Sequence, residues 1–381
     1  MATKQVQRWE RCRVNHLAVV HAYYGDRMRV KSGSLQIPEK AYFVSAQSTN
    51  PKTLRKASRK RARELVRQEE RIAAGTFVPL DEALKAALLQ AHEDFISEGD
   101  LAEIVPVRAN NGDADDRTRG FEDEITTTTA TIASDDKLHT NNTDDFQIVA
   151  MQDSGGRVLL PARTSFAMRD VRSLVDLPLG RFKLIVMDPP WENKSVGRSK
   201  RYATFHHTEL LKIDICSLAD ADECVLGVWV TNRPQYTTFL LDTVLPRWGF
   251  TYHTTWYWLK VCQNGDLVTP LESTHRLPFE KMIVAYRCKD DDPARREALM
   301  NRLGGTAKML VSVPLRHSWK PPPECLFDAS IVAPDAWKLE LFARELRPGW
   351  TSIGNEVLKF QAASLFETAP SKAIYITDKE R

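Results

Sequence analysis

Asp188, Pro189, Pro190 and Trp191 follow directly on the apolar run Leu184, Ile185, Val186 and Met187. Prolines carry no N–H and fix the backbone, so an acid followed by two of them makes a rigid set of acceptors. The Asp188 carboxylate and the Pro189 carbonyl can together accept both hydrogens of an exocyclic aromatic amine. Such an amine is a poor nucleophile because its lone pair is delocalised into the ring, and two acceptors favour the pyramidal nitrogen needed for attack. Trp191 would stack on the base that carries it. The chemistry this pattern suits is in-line transfer of a methyl group from a sulfonium donor, driven by positioning and electrostatics. The bland alternative for Asp188 is a cap on the segment that follows.

Residues 184–187 have the composition of a strand buried on both faces, and the proline pair ends it. Further strand candidates lie at 224–230, 250–259, 281–287, 308–313 and 338–342, and 146–151 with 157–160 flank Gly155 and Gly156 as a hairpin. Apolar strands at helix-length intervals predict an α/β protein with a doubly wound, mostly parallel sheet, whose ligands sit outside the strands' carboxyl ends. Trp256, Tyr257 and Trp258 fit sheet packing better than a base-stacking platform. No G-x-G-x-x-G occurs; Gly304 and Gly305 come nearest.

The 381 residues and 43% hydrophobic content allow one large core and a smaller module. Net charge is only +3, yet residues 1–75 hold 17 basic against 6 acidic side chains and residues 76–145 hold 5 against 17. This divides the chain into a basic, mostly helical N-terminal region (1–108), an acidic disordered linker (109–145) and a catalytic domain (146–381). Residues 52–71 form a densely cationic helix candidate, either a phosphate-contacting or import element or a solvated helix. Residues 79–96 place Leu80, Leu84, Leu88, Ala91 and Phe95 on one packing stripe. The six cysteines show no paired short spacing, so neither a disulfide framework nor a metal site is expected. No apolar run approaches the roughly 18 residues needed to cross a bilayer. An intracellular protein, nuclear with a cytosolic pool, is the expectation.

The Asp188 to Trp191 tetrapeptide after its strand resembles the signature of the methyltransferase A70 family of adenine N6-methyltransferases. Residues 188–202 and 340–360 resemble in particular its methyltransferase-like protein four branch, and the likeness covers roughly residues 146–365. It implies a Rossmann-like sheet that uses S-adenosylmethionine to methylate N6 of adenine in nucleic acid, either RNA such as a small nuclear RNA or DNA. The alternative is a catalytically silent nucleic-acid-binding subunit of a methyltransferase complex. A monomer is compatible with the likeness, and it names no protein partner either way.

The resemblance also implies roles by position. Asp188 and Pro189, with Pro190 and Trp191, hold the target base. Asp170 and Val171 receive the donor's adenine, Lys320 and Asp188 its carboxylate and amino groups, and Glu340 and Arg344 its ribose; Asn355 and Glu356 complete the pocket. An acid near the end of a sheet strand is a common ribose ligand, which favours Glu340 independently. Asn193, Lys194, Arg198, Lys200, Arg201 and Tyr202 form a basic segment past the active strand, a substrate-phosphate contact or a solvated loop. Trp319 stands where the family often has His, and Leu346 and Arg347 where relatives carry a His-Asn pair, so those contacts stay unassigned. His317 is equally a packing residue or a member of the site.

Overall fold

The computed structural model describes residues 9–39 except 26, residue 41, several positions between 63 and 74, residues 80–98, 131–192, 205–289 except 272, 274 and 275, and 292–369. The expected basic segment of residues 193–202 lies outside the described residues, as does most of the 52–71 helix candidate. Described positions 63, 66, 69 and 70 within that candidate are helical.

A ten-stranded sheet organises the chain. In sequence order its strands are β1 (Trp9–Arg13), β2 (His139–Thr140), β3 (Ser165–Ala167), β4 (Leu184–Met187), β5 (Glu223–Val230), β6 (Thr251–Lys260), β7 (Phe279–Cys288), β8 (Ala307–Ser312), β9 (Lys338–Leu341) and β10 (Trp350–Ile353). They lie side by side as β1-β8-β6-β7-β5-β4-β9-β10-β3-β2. From β5 to β3 all pairings are parallel, while β7 runs antiparallel to both β6 and β5. The expected mostly parallel α/β sheet is therefore present, with β7 reversed inside it and β2 reversed at its edge.

Strand β4 sits between β5 and β9 and is at most 1% exposed along its length. Ile185 and Met187 join the core on one face, and Leu184 and Val186 the core on the other. This two-sided burial is what the uninterrupted Leu-Ile-Val-Met run encodes.

The described residues of the N-terminal region are built into the main fold. Trp9–Arg13 pairs in parallel with Ala307–Ser312, and Met28–Val30 pairs with Phe366–Thr368 near the other end of the chain. The half-polar sequence Trp-Glu-Arg-Cys-Arg suits an edge strand, which satisfies the free backbone groups of β8 and keeps its charges at the surface. The helix α1 (Glu82–Ser97) begins at Asp81, whose side chain accepts from Ala83 N at 3.0 Å and Leu84 N at 3.2 Å. Its buried Leu88, Ala91 and Phe95 cover Leu259, Val261, Met309 and Val311. The predicted stripe is thus a packing stripe, and its target is the main sheet.

Residues 131–145 also depart from expectation, since they are ordered and not linker. Thr131–Ile132 pairs with the strand Gln147–Met151, and β2 pairs with β3. Buried Asn141 donates to the carbonyls of Asp145 and Pro161, both at 2.8 Å. Polar composition here reflects side chains that bond to backbone, a use that average hydrophobicity does not separate from disorder.

Candidate active site

Strands β3, β10, β9 and β4 are neighbours and parallel, so their carboxyl ends share one edge of the sheet. Asp170, Asn355 with Glu356, Arg344 and Asp188 follow those ends in that order. Gly354 makes the close turn possible. A Cβ there would lie 2.8 Å from the Ala343 carbonyl oxygen and 2.9 Å from Ala343 N, so any side chain would push apart the two strand exits.

Asp188 lies at the middle of a run of alternating charges. Arg344 Nη1 donates to Asp188 Oδ2 at 2.7 Å, and Lys320 Nζ stands 3.2 Å from Oδ1. Lys320 also pairs with Glu280, whose carboxylate pairs in turn with Lys260. On the other side Arg344 Nε reaches Glu356 Oε2 at 3.1 Å, and Glu356 bonds Lys359 at 3.0 Å. Burial would lower the Lys320 pKa, but Asp188 and Glu280 outweigh it and hold it above the ordinary lysine value. The same contest runs for Arg344, raised by Asp188 and Glu356 against burial. Glu280 is held well below the usual carboxylate range, because Lys260 and Lys320 overcome the burial that would raise it.

Two residues with left-handed backbone place these cations. Ser318 (φ 65°) precedes Lys320 by two positions, and Phe342 (φ 58°) precedes Arg344 by two. A bulky residue such as Phe in this region is disfavoured, and such strain persists where surrounding structure fixes it, commonly beside functional groups.

Asp188, Lys320, Glu340 and Arg344 line one narrow cleft together with Ser318, Trp319, Phe342, Glu345, Arg347 and Phe360. Its floor is a buried ion cluster. Arg347, 1% exposed, pairs with Glu340 and donates to Glu345 at 2.9 Å, and its Nε lies 3.9 Å from Glu324. Burial pushes the Glu345 carboxyl well above its ordinary range. Trp319 stacks on Phe360 with centroids 4.4 Å apart and planes 6° from parallel, so it serves as wall.

The remaining expected residues are spread around this cleft. Pro189 is buried, and its carbonyl accepts Trp191 N–H at 2.8 Å, leaving a second lone pair for an incoming amine. Pro190 is exposed. Trp191 points inward instead of offering a stacking face: it is 9% exposed, donates Nε1–H to the Trp229 carbonyl at 2.7 Å, and stacks on Tyr236 at 5.0 Å. Asp170 is tied to Arg172 at 2.9 Å and Val171 lies in the core, both outside the cleft lining. His317 bonds Ser318 Oγ at 2.8 Å, and burial lowers its pKa. Lys260, Glu280, Glu345 and Arg347 were not anticipated. An acid at the start of an apolar strand, as Glu280 stands second in β7, is the one sequence signal that could have found any of them.

A parallel sheet whose strand ends present paired acids and cations to a cleft is a Rossmann-like arrangement with a ligand site at those ends. Residues 182–356 match the family described as MT-A70, and the chain is similar to METTL4 proteins. It is 40% identical over 231 residues to the N(6)-adenine-specific methyltransferase METTL4 of Homo sapiens, covering 59% of this chain and 48% of that protein. It is 32% identical over 233 residues to the N6-methyladenosine RNA methyltransferase MTA1 of Pyricularia oryzae, covering 57% and 59%. With the DNA N6-methyl methyltransferase of Caenorhabditis elegans it shares 30% over 221 residues, 56% of each chain. The chain spans about half the length of the curated relatives it matches.

Proposed function

We propose that this protein is an S-adenosylmethionine-dependent methyltransferase that acts on N6 of adenine in a nucleic acid. The observation that carries the reading is Asp188 at the carboxyl end of β4, held between Lys320 and Arg344 in one cleft. The cleft's chemistry fits the donor. Lys320 suits a carboxylate, Asp188 an amino group, and Glu340 the hydroxyls of a ribose. When bound, the donor supplies an electrophilic methyl group on a sulfonium.

The chain's own residues position the nucleophile. Asp188 and the Pro189 carbonyl accept from the target amine and turn its lone pair toward the cleft. Lys320 is shared between Asp188 and Glu280, so it can turn to a donor carboxylate while Glu280 keeps it neutralised. That exchange would release Asp188 Oδ1 for the amine. The adenine must leave its stack to reach the cleft, which costs a few kcal/mol when paired and less in a single strand.

We take RNA, with small nuclear RNA as the class, for the substrate, and we expect nuclear localisation. The support is the similarity to METTL4 and to an RNA methyltransferase, with the DNA enzyme of Caenorhabditis elegans setting the alternative. Mass spectrometry of nucleosides after incubation with donor and matched RNA or DNA oligomers tests substrate and activity together. N6-methyladenine on neither would refute the proposal, and RNA binding without donor binding would favour the silent-subunit alternative.

A further inference from the structure

Immediately beyond Trp191, Glu192 meets His206 and His207 at the start of the 3₁₀ helix His207–Lys212. One donor atom from each lies within 4.8 Å of the others. Glu192 Oε2 is 3.6 Å from His207 Nδ1, and Oε1 is 3.9 Å from His206 Nε2. Both separations exceed a good hydrogen bond. They approach the ligand-to-ligand edge of roughly 3.3–3.6 Å that metal–ligand bonds of about 2.0–2.2 Å give in a tetrahedron. We propose that Glu192, His206 and His207 bind one divalent transition-metal ion of the zinc class.

Each ligand is oriented from behind. His206 Nδ1 meets Thr208 Oγ1 at 2.6 Å and accepts from Thr208 N at 3.4 Å, which directs Nε2 toward Glu192. The His207 ring packs edge-on against Phe239 at 4.8 Å, and its Nδ1 is buried without a hydrogen-bond partner among the described residues. The Glu192 backbone is pinned by Arg233 Nη1 at 2.9 Å and Tyr236 OH at 3.0 Å, which both donate to its carbonyl. A buried imidazole nitrogen facing a carboxylate without bonding it is costly unless a third species completes the contact. Two imidazoles and one carboxylate suit Zn²⁺, whereas Mg²⁺ and Ca²⁺ prefer oxygen ligands. His206, with its side chain 56% exposed, leaves an entry path and a fourth position for water. The ion would join the exit of the Asp188 to Trp191 turn to the helix at 207, fixing the end of that turn. The inference is independent of the methyl-transfer reading.

The test uses the full chain without a histidine tag, stripped with chelator and titrated with Zn²⁺, Co²⁺ or Mg²⁺. The expected result is one Zn²⁺ per chain, a melting temperature several degrees higher with Zn²⁺ and unchanged with Mg²⁺, and visible Co²⁺ bands of tetrahedral type without thiolate charge transfer. The variants His206→Asn and Glu192→Gln should melt like the parent when metal-free and bind Zn²⁺ on the order of 100-fold more weakly. Substoichiometric Zn²⁺, a thiolate–Co²⁺ band, or parental affinity in both variants would overturn the site.

Discussion

Arg344 and Asp188, 156 residues apart in sequence, meet at 2.7 Å because β9 and β4 are adjacent parallel strands. Each has a further partner. Arg344 holds Glu356, and Asp188 faces Lys320, which itself holds Glu280.

That redundancy makes Asp188→Asn informative. Both cations keep another carboxylate, so the melting temperature should stay within a few degrees of the parent. Turnover should fall by roughly 10²–10³-fold or more, the scale of losing one preorganised electrostatic contact. Single-turnover methyl transfer with circular dichroism as a fold control checks this; activity within tenfold of the parent would remove Asp188 from the amine-holding role.

Lys320→Gln addresses the donor. A hydrogen bond to a charged group contributes about 1.5–3 kcal/mol, so donor affinity should drop by roughly ten- to a hundredfold. Calorimetry with S-adenosylmethionine and its demethylated product measures it. Equal affinity in parent and variant would place the donor carboxylate elsewhere.

Glu280 gives a pH signature. Its folded pKa is depressed below its unfolded value, so it contributes stability that is present above about pH 4.3 and lost as pH falls toward the folded pKa. Parent stability should therefore decline below that pH with one more proton taken up on unfolding than in Glu280→Gln. Urea midpoints from pH 6 to pH 3 supply both slopes; parallel curves would show that Lys260 and Lys320 do not depress Glu280.

How far these groups could be found without coordinates depended on where their signal lay. Asp188, Lys320, Glu340 and Arg344 follow or end recognisable strands or carry local motifs, so the sequence located the cleft's rim. Glu280 escaped because its role depends on β7 reversing between β5 and β6, and an apolar run does not state its direction. Arg347 escaped because an isolated arginine looks like a surface residue until its three carboxylates surround it. Trp9–Arg13 has no apolar alternation, and its partner strand lies some 300 residues away. Trp191 was placed correctly in the motif, but which way its ring turned was decided by Trp229 and Tyr236.

Arg347→Met tests the buried cluster. It leaves Glu340 without its cation and Glu345 without its hydrogen-bond donor, at a position 1% exposed. Losing one partner of a buried pair costs about 3–5 kcal/mol, so the urea midpoint should fall sharply. A loss below about 1 kcal/mol, at the level of a surface pair, would mean that the carboxylates are neutral and that Arg347 contributes packing alone.

Because β1 and the 28–30 strand are built into the folded domain, deleting residues 1–75 would damage the sheet as well as remove charge. The nucleic-acid role of the basic segment is better tested by changing Arg55, Lys56, Arg59, Lys60 and Arg61 to Gln in the full chain. Each phosphate contact contributes about 0.7 to the slope of log affinity against log salt for a single strand and about 0.9 for a duplex. If all five contact phosphates, the RNA slope should flatten by about 3.5, with donor affinity and melting temperature unchanged. Fluorescence anisotropy across a salt series reads the slope directly. An unaltered slope would make these residues a solvated surface, and the cleft's own cations would then have to supply the attraction for the strand.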